Sequence, residues 1–344
     1  MSAADPLDSP RDARREQLHQ WLRSRPAHYT IEAESMHPAS ADASFRRYFR
    51  LNAGSGTLIV MDAPPDKEDV RPFMHVARLL HETGLNAPIV LEADPEQGFL
   101  LLTDLGRETY LSVLDESNAT ELFAAATEAL LRWQQATRPG ELPPYDEALL
   151  RRELALFPDW YVARHLGLTL STTQREVLDR MFDRIVAANL AQPAVYVHRD
   201  YMPRNLMVSA PNPGVLDFQD AVIGPITYDL ASLFRDAFIS WDEERIIDWS
   251  IRYWERARRA GLPVGEDFGS FWRDFEWMGL QRHLKVLGIF ARINYRDGKP
   301  QYLADTPRFV RYVRAVAHRY DELAPLARLF DELEGVAVRV GYTF

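Results

Sequence analysis

The spacing of apolar and polar residues divides the chain into two parts near residue 105. From Tyr29 to Leu105, short apolar runs alternate with polar positions and are separated by turn-forming residues, which is typical of β-strands. One helical stretch, about Val70–Glu82, interrupts them and is followed by Gly84, a residue type that commonly ends helices. The strands are predicted at YTIEAESM, SFRRYFRL, GTLIVMDAP, APIVLEAD and GFLLLTDL. This pattern predicts a small antiparallel lobe of five strands and one helix.

The rest of the chain has the three- to four-residue spacing of helices, and an amphipathic helix is also expected at about 11–24. Longer helices are predicted at Ala119–Thr137, Tyr145–Leu166, Thr172–Leu190, Asp242–Ala260, Phe268–Ile293 and Thr306–Leu333. Short strands are predicted at Ala194–Val197, Leu206–Val208 and Gly214–Phe218. We therefore predict an α+β fold, with an N-terminal lobe at 1–104 and a larger, mainly helical lobe at 105–344.

Composition narrows the class of protein. The chain has 344 residues, which suits two lobes, and a formal net charge of −10, which argues against a nucleic-acid partner. It has no cysteine, so disulfides and thiolate metal sites are excluded. The first residues, MSAADPLDSPRDARRE, lack the apolar core of a secretory signal, and no stretch approaches the roughly 20 apolar residues of a membrane span. We expect a cytoplasmic monomer whose partner is a small molecule, not a membrane.

The stretch VYVHRDYMPRNLMV, residues 195–208, places charged residues in a tight loop between two short apolar runs. His198, Asp200 and Asn205 form the pattern H-x-D-x-x-x-x-N, and Asp217 follows 17 positions after Asp200 at the end of an apolar run. Phosphoryl transfer requires a carboxylate that deprotonates the attacking hydroxyl, and oxygen ligands that hold Mg²⁺ against the phosphates. The pattern predicts this chemistry; the alternative is a polar loop with a structural histidine.

The segments HRDYMPRN, LDFQD and ITYDLASL, together with the two-lobed layout, resemble the aminoglycoside phosphotransferase and choline kinase-like branch of the protein-kinase-like fold. The resemblance covers nearly the whole chain. It implies that ATP and Mg²⁺ are used, that Asp200 is the catalytic base, and that Asn205 and Asp217 are metal ligands. It also implies that His198 packs beneath the loop and that Asp229 braces it.

A closer resemblance concerns the acceptor. The segments ASADASFRRYFR, IVMDAPPDKED, WYVARHLG and FARINYRDGKPQYLADTPRF resemble bacterial kinases that phosphorylate N-acetylmuramate and N-acetylglucosamine at C1 during peptidoglycan recycling. This resemblance implies an amino-sugar acceptor, which no spacing of residues establishes. It leaves open the preference between the two sugars and the anomer of the product.

The N-terminal lobe departs from kinases at two places. The turn HPASADAS has small residues but no glycine to cover the phosphates, and Met61 stands where strand three of a kinase ends in lysine. Alternation along SFRRYFRL places Phe45 and Phe49 toward the lobe interior together with Arg47, which we predict as the substitute cation, with Lys67 as a weaker candidate. An arginine on a solvated strand surface is the alternative. The predicted nucleotide-binding residues are Ser44, Phe45, Arg47 and, through the interlobe backbone, Thr103, Asp104 and Leu105.

The predicted acceptor site is rich in cations. The mostly apolar helix at 278–294 carries basic residues that need a partner if buried, and DWYVARHLG adds aromatic rings with basic neighbours. The predicted substrate-binding residues are Arg164, His165, Arg282, Lys285 and Arg292. A kinase of an aminoglycoside or amino alcohol is a second hypothesis, but it should have carboxylates here. A third, prompted by the missing lysine, is a non-catalytic kinase-like binding module, which would not need Asp200, Asn205 and Asp217 together.

Overall fold

The computed structural model describes residues 13–39, 45–54 and 56–335. The chain divides into two compact units, the first formed by Met1–Glu108 with Met207–Asp220 and the second by Thr109–Leu206 with Ala221–Phe344. The predicted α+β class is confirmed, because the first unit contains an antiparallel sheet and the second is mainly helical. This division differs from the predicted boundary between residues 104 and 105, because residues 207–220 lie with the first unit.

The first unit is a five-stranded antiparallel sheet with two helices. The strand order is β1-β2-β3-β5-β4. The strands are β1 (Ile31–Pro38), β2 (Arg47–Ala53), β3 (Gly56–Asp62), β4 (Val90–Asp94) and β5 (Phe99–Thr103), and the helices are α1 (Ala13–Arg23) and α2 (Arg71–Glu82). All five strands and both helices predicted from periodicity are present, with ends that shift by a few residues, as is usual for such boundaries.

One face of this sheet is covered by α1. Residues of this face form an apolar cluster with residues of the helix. The cluster includes Leu18, Trp21 and Leu22 of α1 and Phe49, Leu51, Val60, Phe99 and Leu101 of the sheet. We call this the α1 face. Pairing of β2 with β3 sets Arg47 opposite Asp62 and Tyr48 opposite Met61. Since directly paired residues share a face and neighbours alternate, Arg47 lies on the α1 face and Met61 on the other.

Phe45 corrects one expectation. It was predicted to face the lobe interior with Phe49, but its side chain is 62% exposed whereas Phe49 is buried. The reason is that β2 begins only at Arg47, so the alternation of the strand does not extend to Phe45.

The segment Met207–Asp220 returns to the first unit through specific contacts. It contains β8 (Gly214–Val215), which follows β7 (Leu206–Met207). The Val215 N–H donates to the Asn86 carbonyl at 2.7 Å, and the Phe218 ring packs on Phe73 of α2 with ring centres 4.6 Å apart. These long-range contacts cannot be read from periodicity along the chain.

The second unit contains a short antiparallel pair and nine α-helices within the described residues. The pair is β6 (Ala194–Val197) with β9 (Val222–Pro225). The helices are α3 (Tyr110–Val113), α4 (Ala119–Gln135), α5 (Glu147–Leu154), α6 (Thr172–Leu190), α7 (Tyr228–Phe234), α8 (Glu243–Arg259), α9 (Phe268–Asp297), α10 (Thr306–Arg319) and α11 (Ala324–Leu333). Residues 275–284 of α9 are all buried, and they include the polar or charged residues Glu276, Gln281, Arg282 and His283.

Two predicted helices are each divided in the structure. The helix expected at Tyr145–Leu166 is α5 followed by a π-helical segment at Phe157–His165, and Thr306–Leu333 is α10 and α11. In both cases the second segment has proline in its first turn, where the missing N–H is tolerated. No described helix is both long enough and apolar enough to cross a membrane.

Candidate active site

The loop after β6 is held by a buried carboxylate. Asp229, in the first turn of α7, accepts the backbone N–H groups of His198 at 2.7 Å and Arg199 at 3.0 Å, one on each oxygen. Arg199 has φ +75°, a left-handed conformation that costs a residue other than glycine about 1 kcal/mol. Two hydrogen bonds to a carboxylate offset this cost. Asp229 therefore fixes the turn that presents Asp200.

Further hydrogen bonds tie the loop together around Asp200. The Asn205 side-chain amide and the Met202 N–H both donate to the Asp200 carbonyl, at 2.9 and 3.0 Å. The Asp200 N–H donates to Nδ1 of His198 at 3.3 Å, and the His198 ring is buried against Tyr201. These contacts all use the backbone of Asp200, so the conformation that they give the loop does not depend on its carboxylate.

Asp229 is an unusual carboxylate because it is fully buried. Burial raises the pKa of Asp229 to about 7, although the two backbone N–H donors lower it. The charge of Arg282 also lowers this pKa, and Arg282 is itself buried near a second carboxylate, Asp236. Arg282, predicted to bind substrate, thus lies in the interior beside the loop-bracing carboxylate.

Replacement of Asp229 by Asn should destabilise the second unit. The amide has one acceptor oxygen, so one of the two loop N–H groups loses its partner, at a cost of about 1.5–3 kcal/mol. Urea unfolding measures this loss. Asp146→Asn is the control, because Asp146 accepts an N–H at the exposed start of α5, where asparagine caps equally well. Equal stability of the two variants would contradict the proposed brace.

A buried polar network lies beside the catalytic loop. Its centre is Glu153 on α5, which accepts hydrogen bonds from Arg199 at 2.5 Å, Lys285 at 2.8 Å and Gln281 at 3.2 Å. Tyr145 also donates to Glu153, and Lys285 donates to the Tyr228 hydroxyl at 3.0 Å. We call this set the Glu153 cluster; its members are Tyr145, Glu153, Arg199, Tyr228, Gln281 and Lys285.

The charges of the Glu153 cluster are coupled to Asp200. Burial alone would raise the pKa of Glu153, but Lys285 and Arg199 lower it to about 2, so the carboxylate is ionised. Burial lowers the pKa of Lys285, but Tyr228, Glu153 and then Asp200 more than compensate, so the amine stays charged. The cluster thus sets two cations against one internal carboxylate, with Asp200 as a further negative charge near both.

Sequence reasoning missed Glu153. It lies three residues after Leu150 and four before Phe157, both buried, so helical spacing places a lone carboxylate on an apolar face. That position is the signal that could have identified it, because a buried carboxylate needs a cationic partner.

The other predicted acceptor residues are spread along α9 and the π-helical segment. His165 approaches the Tyr295 hydroxyl at 3.4 Å, and Arg164 beside it is exposed. Tyr295 is ten residues from Lys285, which is about 15 Å along a helix. Arg292 lies between them on the same face as Lys285 and makes no hydrogen bond or ion pair within the described part of the chain. Of these residues, Lys285 is joined to the catalytic loop, because it pairs with Glu153, which also pairs with Arg199.

Asp217 lies at the end of the segment that returns to the first unit. It has φ +62° and accepts a hydrogen bond from the Gln219 side chain at 2.9 Å, while Phe218 anchors the segment on α2. Asp217 and Asn205 offer carboxylate and amide oxygens, the donor types that Mg²⁺ prefers. No group of three or more acidic or histidine side chains among the described residues is arranged to hold a metal ion. Mg²⁺ often binds through one or two protein ligands plus substrate phosphates, so these residues fit it.

The predicted nucleotide-binding residues at the end of β5 carry structural contacts. Asp104 accepts hydrogen bonds from Arg50 at 2.5 Å, Thr57 at 2.6 Å and the Gly106 N–H at 2.9 Å. Burial raises the pKa of Asp104, but these donors outweigh it and the net shift is downward. Thr103 is paired with Ile89 through both its N–H and its hydroxyl. These side chains fix the end of β5 against its neighbours, and Leu105 continues the same backbone.

Each of the two candidates for the missing lysine has a carboxylate partner in the structure. Arg47 lies on the α1 face, where its Nε donates to the buried Asp62 at 2.9 Å and Arg14 donates to the other oxygen. Lys67 is exposed beside Asp66. Arg47 lies on the side of the sheet opposite to Met61, and Lys67 lies outside the strands, between β3 and α2. Ser44, the remaining predicted residue, lies outside the described residues.

Comparison with known proteins establishes the class. The chain matches the phosphotransferase enzyme family over residues 35–262 and belongs to that family. A choline/ethanolamine kinase family protein from Mesorhizobium loti has the same fold, with a TM-score of 0.60 and 16% identity, covering 93% of this chain and 99% of that one. An ADP-bound aminoglycoside phosphotransferase gives a TM-score of 0.60 at 14% identity, with the same coverage, 93% and 99%. The predicted kinase-like fold is confirmed.

Relatives of known name are much more similar in sequence. The N-acetylmuramate/N-acetylglucosamine kinase of Pseudomonas aeruginosa is 54% identical over 329 residues, which covers 94% of this chain and 97% of that protein. The kinase of the same name from Neisseria meningitidis is 53% identical over 312 residues, or 89% of this chain and 93% of that protein. The predicted resemblance to this group is confirmed, and the chain is a phosphotransferase.

Proposed function

We propose that the protein transfers the terminal phosphoryl group of ATP to the C1 hydroxyl of N-acetylmuramate or N-acetylglucosamine. The observation that carries this proposal is identity above 50% over nearly the full length to two kinases named for these sugars. The braced loop with Asp200 at its centre supplies the group that such a reaction needs. We propose that the reaction takes place in the cytoplasm, where ATP is available.

In the proposed mechanism, Asp200 orients the attacking C1 hydroxyl and accepts its proton. A hemiacetal hydroxyl is more acidic than an ordinary alcohol, so a carboxylate base suffices. Asn205 and Asp217 would hold Mg²⁺, which when bound offsets the negative charge of the phosphate oxygens. Because the transition state is loose, catalysis depends on positioning, and the hydrogen bonds of Asp229 and of the Glu153 cluster supply it for the loop.

The acceptor is proposed to lie along the face of α9 that carries Lys285 and Arg292. These residues are seven positions apart, which is two turns or about 10 Å of helix. In this arrangement the C1 hydroxyl lies at Asp200 and the lactyl carboxylate of N-acetylmuramate pairs with the long side chain of Arg292. The pKa of Arg292 is lowered by partial burial and by Arg296, so an anionic partner would stabilise its charge. The single carboxylate of the Glu153 cluster already pairs two cations, which disfavours a cationic acceptor.

An ADP-release assay with four acceptors tests the proposal. N-acetylmuramate, N-acetylglucosamine, an aminoglycoside and choline are each supplied with ATP and Mg²⁺. We expect release that depends on the two amino sugars. Release with only the aminoglycoside or choline would replace the proposed acceptor by a cationic one. ATP binding with no release in any arm would favour a binding module.

A further inference from the structure

We propose that Arg282 is a positioning residue, whose buried positive charge keeps Asp229 ionised so that this carboxylate accepts both loop N–H groups and holds Asp200 in place. The inference rests on the proposed function for the role of Asp200, whereas the coupling of Arg282 to Asp229 can be measured without turnover. This role differs from the predicted contact with the acceptor. Arg282 is only 3% exposed, which leaves almost none of its surface for a sugar to reach.

The contacts between α7 and α9 show how the two helices are aligned. At one end of the pair, Lys285 of α9 donates to the hydroxyl of Tyr228, the first residue of α7, at 3.0 Å. At the other end, Arg235, directly after α7, donates to Glu276 of α9 at 3.0 Å. Residue numbers therefore rise along α7 as they fall along α9, so the helices run antiparallel.

This alignment places Arg282 beside Asp229. Gly279 of α9 lies opposite Ala231, since a Cβ atom added to this glycine would be 3.8 Å from the Cβ of Ala231. Arg282 is three residues after Gly279 and three before Lys285, so on the helix it lies between two positions that both face α7. The part of α7 opposite Arg282 is therefore the first turn, which carries Asp229.

The charge of Arg282 is opposed by carboxylates and not by a direct ion pair. Arg282 makes no hydrogen bond or ion pair with any residue that the structure describes, and its Nη1 is buried without a partner. Burial raises the pKa of Asp229 and of Asp236, and the charge of Arg282 lowers both. The neighbouring His283 adds no charge, because burial holds its pKa well below the usual range. In an interior of low dielectric constant, charges act beyond hydrogen-bond distance.

Several titratable or charged residues surround Asp229, and Arg282 is the one whose positive charge acts on it. The surrounding residues are Asp200 and Tyr201 of the loop, His198 and Arg199 through their backbone N–H groups, Tyr253 of α8 and Arg282 of α9. With these neighbours, burial raises the pKa of Asp229 to about 7. Loss of Arg282 would raise this pKa further. In a protonated carboxyl one oxygen becomes a hydroxyl donor, so one loop N–H would lose its acceptor.

The pH dependence of kcat in Arg282 variants tests the assignment. In the unaltered protein we expect kcat to fall as the pH drops below about 7, where Asp229 becomes protonated. Arg282→Met and Arg282→Gln remove the charge and should move this fall to higher pH by about one unit, the effect of losing a nearby opposite charge. Arg282→Lys keeps the charge and should leave the fall near its original pH. ADP release at saturating acceptor measures each profile.

Arg235→Met is the matched control. Arg235 is a similarly buried arginine at the same pair of helices, 4% exposed, but it pairs directly with Glu276. Its replacement should lower the melting temperature without moving the fall in kcat. The inference is wrong if both uncharged Arg282 variants keep the profile of the unaltered protein, or if Arg282→Lys shifts the profile as far as they do.

Urea unfolding across the same pH range tests the coupling without turnover. The pKa of Asp229 is 3.8 in the unfolded chain and about 7 in the folded protein, so the folded state binds more protons between these values. The contribution of Asp229 to the free energy of unfolding therefore falls as the pH rises to about 7 and is constant above it. In Arg282→Met the decline should continue to higher pH, and in Asp229→Asn it should be absent whether or not Arg282 is present.

The two measurements separate failure of the inference from failure of the proposed function. If the unaltered protein phosphorylates no amino sugar, the proposed function fails, while the unfolding profiles still report on Arg282 and Asp229. Unfolding profiles of Arg282→Met and the unaltered protein that remain parallel up to about pH 9 would overturn the inference, whatever the acceptor, because a charge that acts on Asp229 must change its proton binding.

Discussion

Replacement of Asp200 by Asn is expected to lower kcat by roughly 10²–10⁴-fold, the contribution that a general base makes to a reaction. Asparagine has nearly the same shape but cannot accept the proton of the attacking hydroxyl. The loop should keep its conformation, because the hydrogen bonds that Asp200 makes to His198, Met202 and Asn205 all use its backbone. ADP release at saturating acceptor measures the loss.

To interpret this result, the folding of the variant is compared with that of the unaltered protein. Nucleotide binding and the urea midpoint should stay close to those of the unaltered protein, and Asp146→Asn should change neither these nor kcat. Turnover by Asp200→Asn within a few-fold of normal would remove Asp200 from its role as base, because no isosteric amide can replace that function.

Replacement of Glu153 by Gln is expected to have the largest effect on stability, about 3–5 kcal/mol. The change leaves Arg199 and Lys285 without their shared carboxylate in a buried setting, and breaking a buried pair on one side costs this much. Glu147→Gln on the same helix is the control, because Glu147 pairs with Arg151 at the surface, where such pairs contribute less than about 1 kcal/mol. Urea unfolding at neutral pH compares the two.

The same carboxylate predicts the acid dependence of stability. The pKa of Glu153 is about 2 in the folded protein and 4.5 in the unfolded chain, where it has no partners. Between these pH values the folded state therefore binds fewer protons than the unfolded state. Its contribution to the free energy of unfolding is present above about pH 4.5 and is lost as the pH falls toward 2, amounting to roughly 3 kcal/mol. Glu153→Gln should lack this part of the acid transition. Parallel pH profiles of the two proteins would contradict the account.

Local patterns in the sequence were sufficient for most of the fold and for the centre of the site. The five strands and the helices could be predicted because apolar residues repeat with a fixed period along each element. The loop around Asp200 could be predicted because its residues are close together in sequence and bounded by two apolar runs. Such features depend on neighbours within about ten residues.

Features that depend on distant contacts could not be predicted. Glu153 meets Arg199 and Lys285 only after the second unit has folded, and residues 207–220 join the first unit through Asn86 and Phe73. The case of Arg47 is different. Alternation correctly put it on the face of Phe49, but apolar residues show only that a face is covered, and here the cover is α1.

Phosphorus NMR of the protein incubated with ATP, Mg²⁺ and N-acetylmuramate tests the central claim most directly. The proposed reaction predicts a new phosphomonoester signal whose phosphorus couples to the anomeric proton, with ADP formed in equal amount. A product signal coupled to any other sugar proton would contradict transfer to C1. Unchanged ATP in the presence of both N-acetylmuramate and N-acetylglucosamine would contradict the proposed acceptor.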